Sequence, residues 1–325
     1  MNTPRPVVLF SQQTNAQNQV GGPFMNSRPA LPATWSGSGT SHKYPPERDR
    51  HLLCLRQRRQ HRRRLERRSD LPLISTHPSA MAGDAILPAM ADIVSRLTAL
   101  DWTAIERSLW EWGYAKTPPL LTSEECTELV AIYDDDTRFR SRIDMARYRF
   151  GLGDYKYFAD PLPSLVQTLR THAYPPLAAI ANQFEAALDT ATLHPTELTE
   201  LLAICHRRGQ TKPTPLLLHY EAGGYNCLHQ DIYGRVAFPL QLTCLLSEPG
   251  TDFSGGEFVL VEQRPRQQSR AEVVALRRGE AVIFTTRHRP AAGSRGDFRV
   301  TVRHGVSRVI SGRRFTLGVI FHDAE

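Results

Sequence analysis

"VTVRHGVSRVISGRRFTLGVIF", residues 300–321, alternates apolar and polar positions on both sides of a glycine. Alternation with a period of two is the mark of a half-buried strand, because successive side chains leave opposite faces. Two strands are expected here, one carrying His304 and one carrying Arg314, with Gly312 providing the turn between them. If those strands pair as antiparallel neighbours, His304 and Arg314, ten positions apart, share a pocket. Arg314 is flanked by Phe315 and Leu317, and a charge in an apolar strand is costly unless it is paired or faces water. His304 taken alone reads equally well as a strand histidine with a hydrogen-bonded ring.

The same texture extends backwards to Pro213. "TPLLLHYEAGG", "AFPLQLTCLLSE" and "GGEFVLVEQ" each read as one strand, and "AEVVALRRGEAVIFTT" as two short strands around Arg278-Gly279. Many short strands with turn residues between them imply a sandwich or jelly roll. Before Pro213 the period changes. Residues 91–113 carry apolar positions at helical spacing up to Gly113, and "TSEECTELVAIYDD" opens on a Thr122 or Ser123 cap. Residues 161–188 look helical with a break near Pro175-Pro176, and residues 195–209 form a further helix ending at Gly209. "RYRFGLGDYKYF", 147–158, suggests a strand or hairpin. The expected fold class is α+β: a double-stranded β-helix (jelly roll) with N-terminal helices packed on it. The expected organisation is a disordered basic extension over 1–80, a helical part over 81–212 and the β domain over 213–325.

Composition narrows the class. The chain has 325 residues and 41% hydrophobic content, enough for a sizeable core. It contains no apolar run of about 18 residues and no basic start followed by a long apolar stretch, so neither a membrane span nor a secretory signal is expected. Five scattered cysteines without a C-x-x-C suit a reducing compartment, and the cytoplasm is the expected location. Residues 1–80 hold 13 Lys+Arg against 4 Asp+Glu; with +7 for the whole chain, residues 81–325 are left at about −2. The basic character therefore belongs to the N-terminal quarter. Its run "RQRRQHRRRLERR", 56–68, reads either as an arm for a polyanion or as a solvated tail, and Met81 and Met90 offer alternative starts.

"CLHQDIYGR", 227–235, places His229 and Asp231 one residue apart, on the same side of an extended chain. They are either two metal ligands or two polar loop residues. A mononuclear non-haem iron site takes two histidines and one carboxylate and leaves its other face open. His288, His304 and His322 lie downstream as possible third ligands. His288 sits in the basic stretch "TTRHRPAAGSRGD", read as a surface loop, and His322 at the chain end is read as incidental. His219, adjacent to Tyr220, points the other way and is assigned to packing.

Five motifs in order carry a resemblance: Tyr220-x-x-Gly223 leading to His229-x-Asp231, "SGGEFVLVE", "LRRGEAVIF" with Gly279, Glu280 and Phe284, and His304 followed by Gly312 and Arg314. Residues 213–322 thereby resemble the Fe(II)- and 2-oxoglutarate-dependent dioxygenase superfamily, in its prolyl 4-hydroxylase-like form. More narrowly, the chain resembles bacterial oxygenases described as acting on damaged nucleic acid. The resemblance implies Fe(II) held by His229, Asp231 and His304. It implies 2-oxoglutarate with its distal carboxylate on Arg314, aided by Thr316 and Tyr220, and dioxygen as the other substrate, with ascorbate as an accessory. A planar guanidinium grips a carboxylate through two parallel bonds, as lysine cannot. Many prolyl 4-hydroxylases carry lysine at this place, so the chain departs from them there.

The resemblance implies hydroxylation of a C–H bond with release of succinate and carbon dioxide. Oxidative demethylation of alkylated nucleic acid is one expected outcome. Hydroxylation of a protein side chain or a small molecule is another, and a non-catalytic metal-binding sensor or a cupin-like isomerase stand further off. Tyr225, Tyr233 and Arg235 flank the His-x-Asp pair and are candidate substrate contacts. Arg147, Tyr148, Arg149, Tyr155, Lys156 and Tyr157 form a strip that suits stacking and phosphate contact, a peptide groove or a half-buried hairpin. Arg287, Arg289 and Arg295 add a basic loop.

Overall fold

The structure is a computed structural model that describes residues 92–325, apart from positions 232 and 295. The basic run 56–68 and both alternative starts lie outside the described residues, as does Arg295.

The helical period read over 91–113 divides into α1 (Ile93–Thr98) and α2 (Trp102–Trp112). Asp92 and Asp101 each cap their own helix: one carboxylate accepts the Ser95 N–H, the other the Ala104 N–H. An aspartate inside a helical pattern competes for the backbone in this way and starts a new helix. α2 stops at Gly113, and β1 (Tyr114–Lys116) follows. α3 (Ser123–Ala131) has a full capping box between Thr122 and Glu125. Then come β2 (Phe139–Asp144), β3 (Gly151–Leu152) and β4 (Asp154–Phe158). The expected break at Pro175-Pro176 is absent: α4 runs unbroken from Ser164 to Ala187. The carbonyls the two prolines leave without donors belong to Thr171 and His172, which are not buried, while Ala173, Tyr174, Leu177 and Ala178 beside them are packed in the core. Packing overrides the local penalty. α5 (Leu198–Arg207) completes the helices.

The remaining strands are β5 (Leu216–Glu221), β6 (Tyr225–His229), β7 (Leu240–Leu245), β8 (Phe253–Gly255), β9 (Phe258–Gln263), β10 (Arg270–Val274), β11 (Ala281–Thr285), β12 (His288–Gly293), β13 (Gly296–Val306) and β14 (Val309–Val319). They join two antiparallel sheets. The larger runs β1-β11-β7-β14-β5-β4-β2, with β8 also on β14; the smaller runs β10-β9-β13-β6-β3, with β12 also on β13. One core lies between the helices and the larger sheet, around Leu109, Phe184, Leu242 and Leu317. A second lies between the sheets, around Tyr220, Leu245, Phe258, Phe284 and Val302. Four strands arise before residue 213, so the segment read as helical also builds both sheets.

Three expectations change here. The turn between the His304 and Arg314 strands falls at Ser307-Arg308, and the two strands do not pair: β13 belongs to the smaller sheet and β14 to the larger. Gly312 lies within β14 at φ +79°, where any Cβ would sit 1.9 Å from the Asp252 carbonyl oxygen. Its role is the close crossing of β8, not a turn. The basic stretch around His288 is strand β12 rather than a surface loop. His288 is only partly exposed, and its pKa is lowered to about 4, first by burial. Arg289 is fully buried against Glu262 and donates to the Trp110 carbonyl, so it is not a substrate contact. No described helix is long and apolar enough to cross a membrane.

Candidate iron centre

His229 closes β6 and His304 stands directly opposite it on β13. The register slips by one between this pair and the next, so Cys227 and Leu228 together face Gly305. Such a bulge bends the strand and turns the side chain beside it. Gly305 permits it: a Cβ there would lie 2.7 Å from the Asn226 carbonyl oxygen. His229 Nδ1 lies 2.8 Å from the Cys227 carbonyl. With Nδ1–H donating there, Nε2 is left bare toward the site. Between the two candidate ligands, Gln230 turns away and donates to the Val302 carbonyl at 2.8 Å, tying the segment to β13.

The ligand atoms of His229, Asp231 and His304 converge within 4.8 Å of one another. Asp231 approaches His304 Nε2 at 3.3 Å and His229 Nε2 at 3.5 Å. Neighbouring ligands on an ion with bonds of roughly 2.1 Å sit about 3 Å apart, so the donors fit a first-row divalent metal. Burial opposes the Asp231 charge, but the two imidazoles outweigh it and hold the carboxyl well below its usual range. Burial also opposes the His229 cation, yet Asp231 raises that imidazole's pKa; His304 is lowered, by burial and by His229.

Arg314 faces Tyr220 across the β14–β5 pair. It is 2% exposed, and its Nε and Nη1 have no hydrogen-bond partner. The guanidinium carbon lies 5.6 Å from the Tyr220 ring centre and 5.8 Å from that of Phe253. Burial lowers its pKa to about 10, so it stays a cation at neutral pH. The Tyr220 hydroxyl is also buried without a partner, and Thr316 is buried one turn of the pleat along from Arg314. A buried cation with spare donors is a socket for an anion. His304 packs on Phe258 and Phe284 and Arg314 on Tyr220 and Phe253, four rings of the core between the sheets.

The other candidates separate. Tyr233 is only partly exposed and its hydroxyl is buried without a partner; Tyr225 is half-buried at the start of β6, and Arg235 is exposed. The strip 147–158 divides by face. Tyr155 and Tyr157 lie half-buried on one face of β4, whereas Lys156 is buried on the other, bonding the Tyr133 carbonyl and Asp136. His219 packs flat on Phe315 and contacts Asp154.

Two residues near the site escaped the sequence reading. Arg140 on β2 stands over the Tyr157 ring at 4.4 Å, and no local pattern could announce it. His322 is not incidental: it is 1% exposed, its Nδ1 accepts the Phe238 N–H, and its ring lies 5.2 Å from that of Tyr233. Beside it, Gln210 accepts the Arg235 and Val236 N–H groups and donates to the Asp323 carbonyl, fastening the segment after Asp231 to the C-terminus.

Two imidazoles and a carboxylate form a group that could hold a divalent metal ion, and Arg314 is a buried cation with spare donors. A family profile described as "Oxygenase, catalysing oxidative methylation of damaged DNA" matches residues 153–324. The chain belongs to that family. Proteins from two strains of Mycobacterium tuberculosis, described as uncharacterized, are each 47% identical over 167 residues, covering 51% of this chain and 72% of theirs. Among solved structures, a Pseudomonas putida prolyl-4-hydroxylase is 15% identical with a TM-score of 0.39, covering 67% of this chain and 96% of its own. A non-heme alpha-ketoglutarate-dependent carbocyclase of nogalamycin biosynthesis is 16% identical with a TM-score of 0.43, covering 69% and 85%.

Proposed function

We propose that the chain is an Fe(II)- and 2-oxoglutarate-dependent dioxygenase that demethylates alkylated nucleic acid, and that its two sheets are a double-stranded β-helix. The observation that carries the chemistry is Arg314: a buried guanidinium with two unpartnered nitrogens, set among the rings of Tyr220 and Phe253. The family's description supports the nucleic-acid substrate.

His229, Asp231 and His304 would hold the iron, and Arg314, with Tyr220 and Thr316, the distal carboxylate of 2-oxoglutarate. When bound, iron and 2-oxoglutarate supply the activation of dioxygen, with the cosubstrate leaving as succinate and carbon dioxide. The chain's part is placement. The bulge opposite Gly305 aims His229, Gln230 fixes the strand, and the sheets exclude water. Oxygen inserted into a C–H bond of an N-methyl group gives an N-hydroxymethyl group. Its C–N bond then breaks, the nitrogen keeps a proton and formaldehyde leaves.

The test is to supply Fe(II), ascorbate, 2-oxoglutarate and single strands methylated at different ring nitrogens. Formaldehyde and succinate in equal amounts are expected, and both are lost in His304→Ala. Succinate without formaldehyde on every strand removes the nucleic-acid substrate. The near-neutral charge of residues 81–325 favours a second reading, hydroxylation of a protein side chain or a small molecule. That reading requires a product heavier by one oxygen atom. No succinate under any condition leaves a metal-binding sensor.

A further inference from the structure

We infer that Tyr155, Tyr157 and Tyr233, with Arg140 beside them, form the wall that receives the substrate, and that it fits one unstacked nucleobase with an adjoining phosphate. This rests on the nucleic-acid reading above and adds where and how the base is held.

The four side chains come from three separate elements. Arg140 lies on β2, Tyr155 and Tyr157 on β4, and Tyr233 in the segment after Asp231. The Tyr155 and Tyr157 rings stand 5.5 Å apart at right angles, and Arg140 covers Tyr157. Tyr155 lies opposite Leu218 on β5 and packs with it on the core between the sheets that holds Tyr220, and Tyr233 follows Asp231 by two residues. Three neighbouring half-buried tyrosines are a poor choice for packing alone, since phenylalanine fills nearly the same space with no hydroxyl to satisfy. The Tyr233 hydroxyl is buried with no partner, and so is Nε2 of the adjoining His322. With His322 Nδ1 accepting the Phe238 N–H, a neutral ring carries its proton on Nε2 as a donor.

Each of the three presents an aromatic ring and a phenol hydroxyl that is protonated at neutral pH. The wall therefore offers flat aromatic faces and O–H donors. A heteroaromatic ring with acceptor atoms on its edge matches that set, and an aliphatic side chain does not. Arg140 spends its Nε on the Pro213 carbonyl, and its terminal nitrogens show no hydrogen bond among the described residues. They are placed for a phosphate oxygen. A base held in this way must leave its stack, the general requirement for chemistry on a base.

The experiment measures binding by the metal-free full chain, so it does not depend on turnover. Fluorescence anisotropy compares a short single strand holding one N-methylated base with the same strand unmethylated. Any contact of the basic run 56–68 with the strand backbone is common to both strands, so the preference between them reports the wall. Wild type should prefer the methylated strand by about tenfold. Tyr157→Leu and Tyr233→Leu should reduce the preference to about twofold or less. Tyr157→Phe should keep part of it, because the face remains and only the donor goes. Arg140→Gln should lower the slope of log affinity against log salt by about one. Melting curves show whether each variant is folded, and Tyr157→Phe and Arg140→Gln serve if a leucine variant is not.

Leucine variants that are folded and keep the full preference overturn the inference. So does a wild type that releases formaldehyde from a methylated strand without preferring it, and in that case the proposed function stands. A wild type that neither prefers nor demethylates any strand overturns both.

Discussion

Arg289 and Arg314 are both arginines in the protein interior, 1% and 2% exposed, and their surroundings are opposite. Arg289 gives its Nε and Nη2 to Glu262 and its Nη1 to the carbonyls of Trp110 and Pro290. Glu262 is further held by Arg264 at 2.6 Å. Every nitrogen of Arg289 has an acceptor, and a carboxylate faces its charge. Arg314 has aromatic rings for neighbours and two nitrogens with nothing to bind. Burial alone thus says little about function. A buried charge left unsatisfied is a cost the fold bears, and a ligand that supplies the missing acceptor would offset it.

The comparison can be broken at either arginine. The largest effect is expected at the satisfied one. Glu262→Ala strands Arg289 without its carboxylate and should cost roughly 3–5 kcal/mol of stability, read from the urea midpoint. The pKa of Glu262 is lowered: burial works against it, and Arg264 and Arg289 prevail. Its stabilising share is therefore present above the unfolded carboxyl range and fades as pH falls through the depressed value. Arg314→Met should do the reverse, holding or raising stability, because an uncompensated charge leaves the interior. The cost appears in cosubstrate binding. Calorimetric titration of 2-oxoglutarate into the Mn(II)-loaded chain should show affinity down roughly 100-fold, near 3 kcal/mol. Unchanged affinity would take the carboxylate away from Arg314.

A neutral buried group sharpens the contrast. His322 adjoins Asp323, whose carboxylate pairs with buried Arg170 at 2.8 Å. Burial lowers the His322 pKa to about 4. Between that value and an unfolded value of about 6.5, the unfolded chain binds the proton and the folded chain does not. Stability should then fall as pH drops through this window, by about 2 kcal/mol from pH 7 to pH 5 for this residue. The pH dependence of unfolding in His322→Gln should be flatter than in wild type by that amount, and an equal slope would show His322 protonated in the fold.

Reading the chain alone found most of the strands from residue 213 onward, because alternation and glycine turns are local signals. It also brought together His229, Asp231, His304 and Arg314 as candidates, because motif spacing survives without coordinates. What it missed is what depends on distant pairing. Nothing near residue 304 says that β13 and β14 part into different sheets, or that Gly312 clears a path for β8. The burial of Arg289 depends on Glu262, 27 positions away. The stretch 147–158 suggests a strand or hairpin, but the face that Tyr155 and Tyr157 share is set by β4 pairing with β5 and β2. Pro175 and Pro176 misled because the rule for proline is local and the packing that overrides it is not.

The smallest expected effect tests how closely Arg314 is held. Gly256 has φ +66°, and a Cβ on it would lie 2.9 Å from both Arg314 Cδ and Val309 Cγ2. Gly250 has φ +83° and nothing within 4 Å of the same position. Alanine at either site pays for a left-handed backbone, about 1 kcal/mol. Only alanine at 256 must also displace the arginine stem or the valine. Gly250→Ala should therefore lower the urea midpoint and leave 2-oxoglutarate affinity alone. Gly256→Ala should lower the midpoint by a similar amount and weaken 2-oxoglutarate severalfold, because a two-bond grip on a carboxylate tolerates little misplacement. If both variants bind 2-oxoglutarate as wild type does, the glycine pair before Glu257 serves the chain's turn and not the arginine.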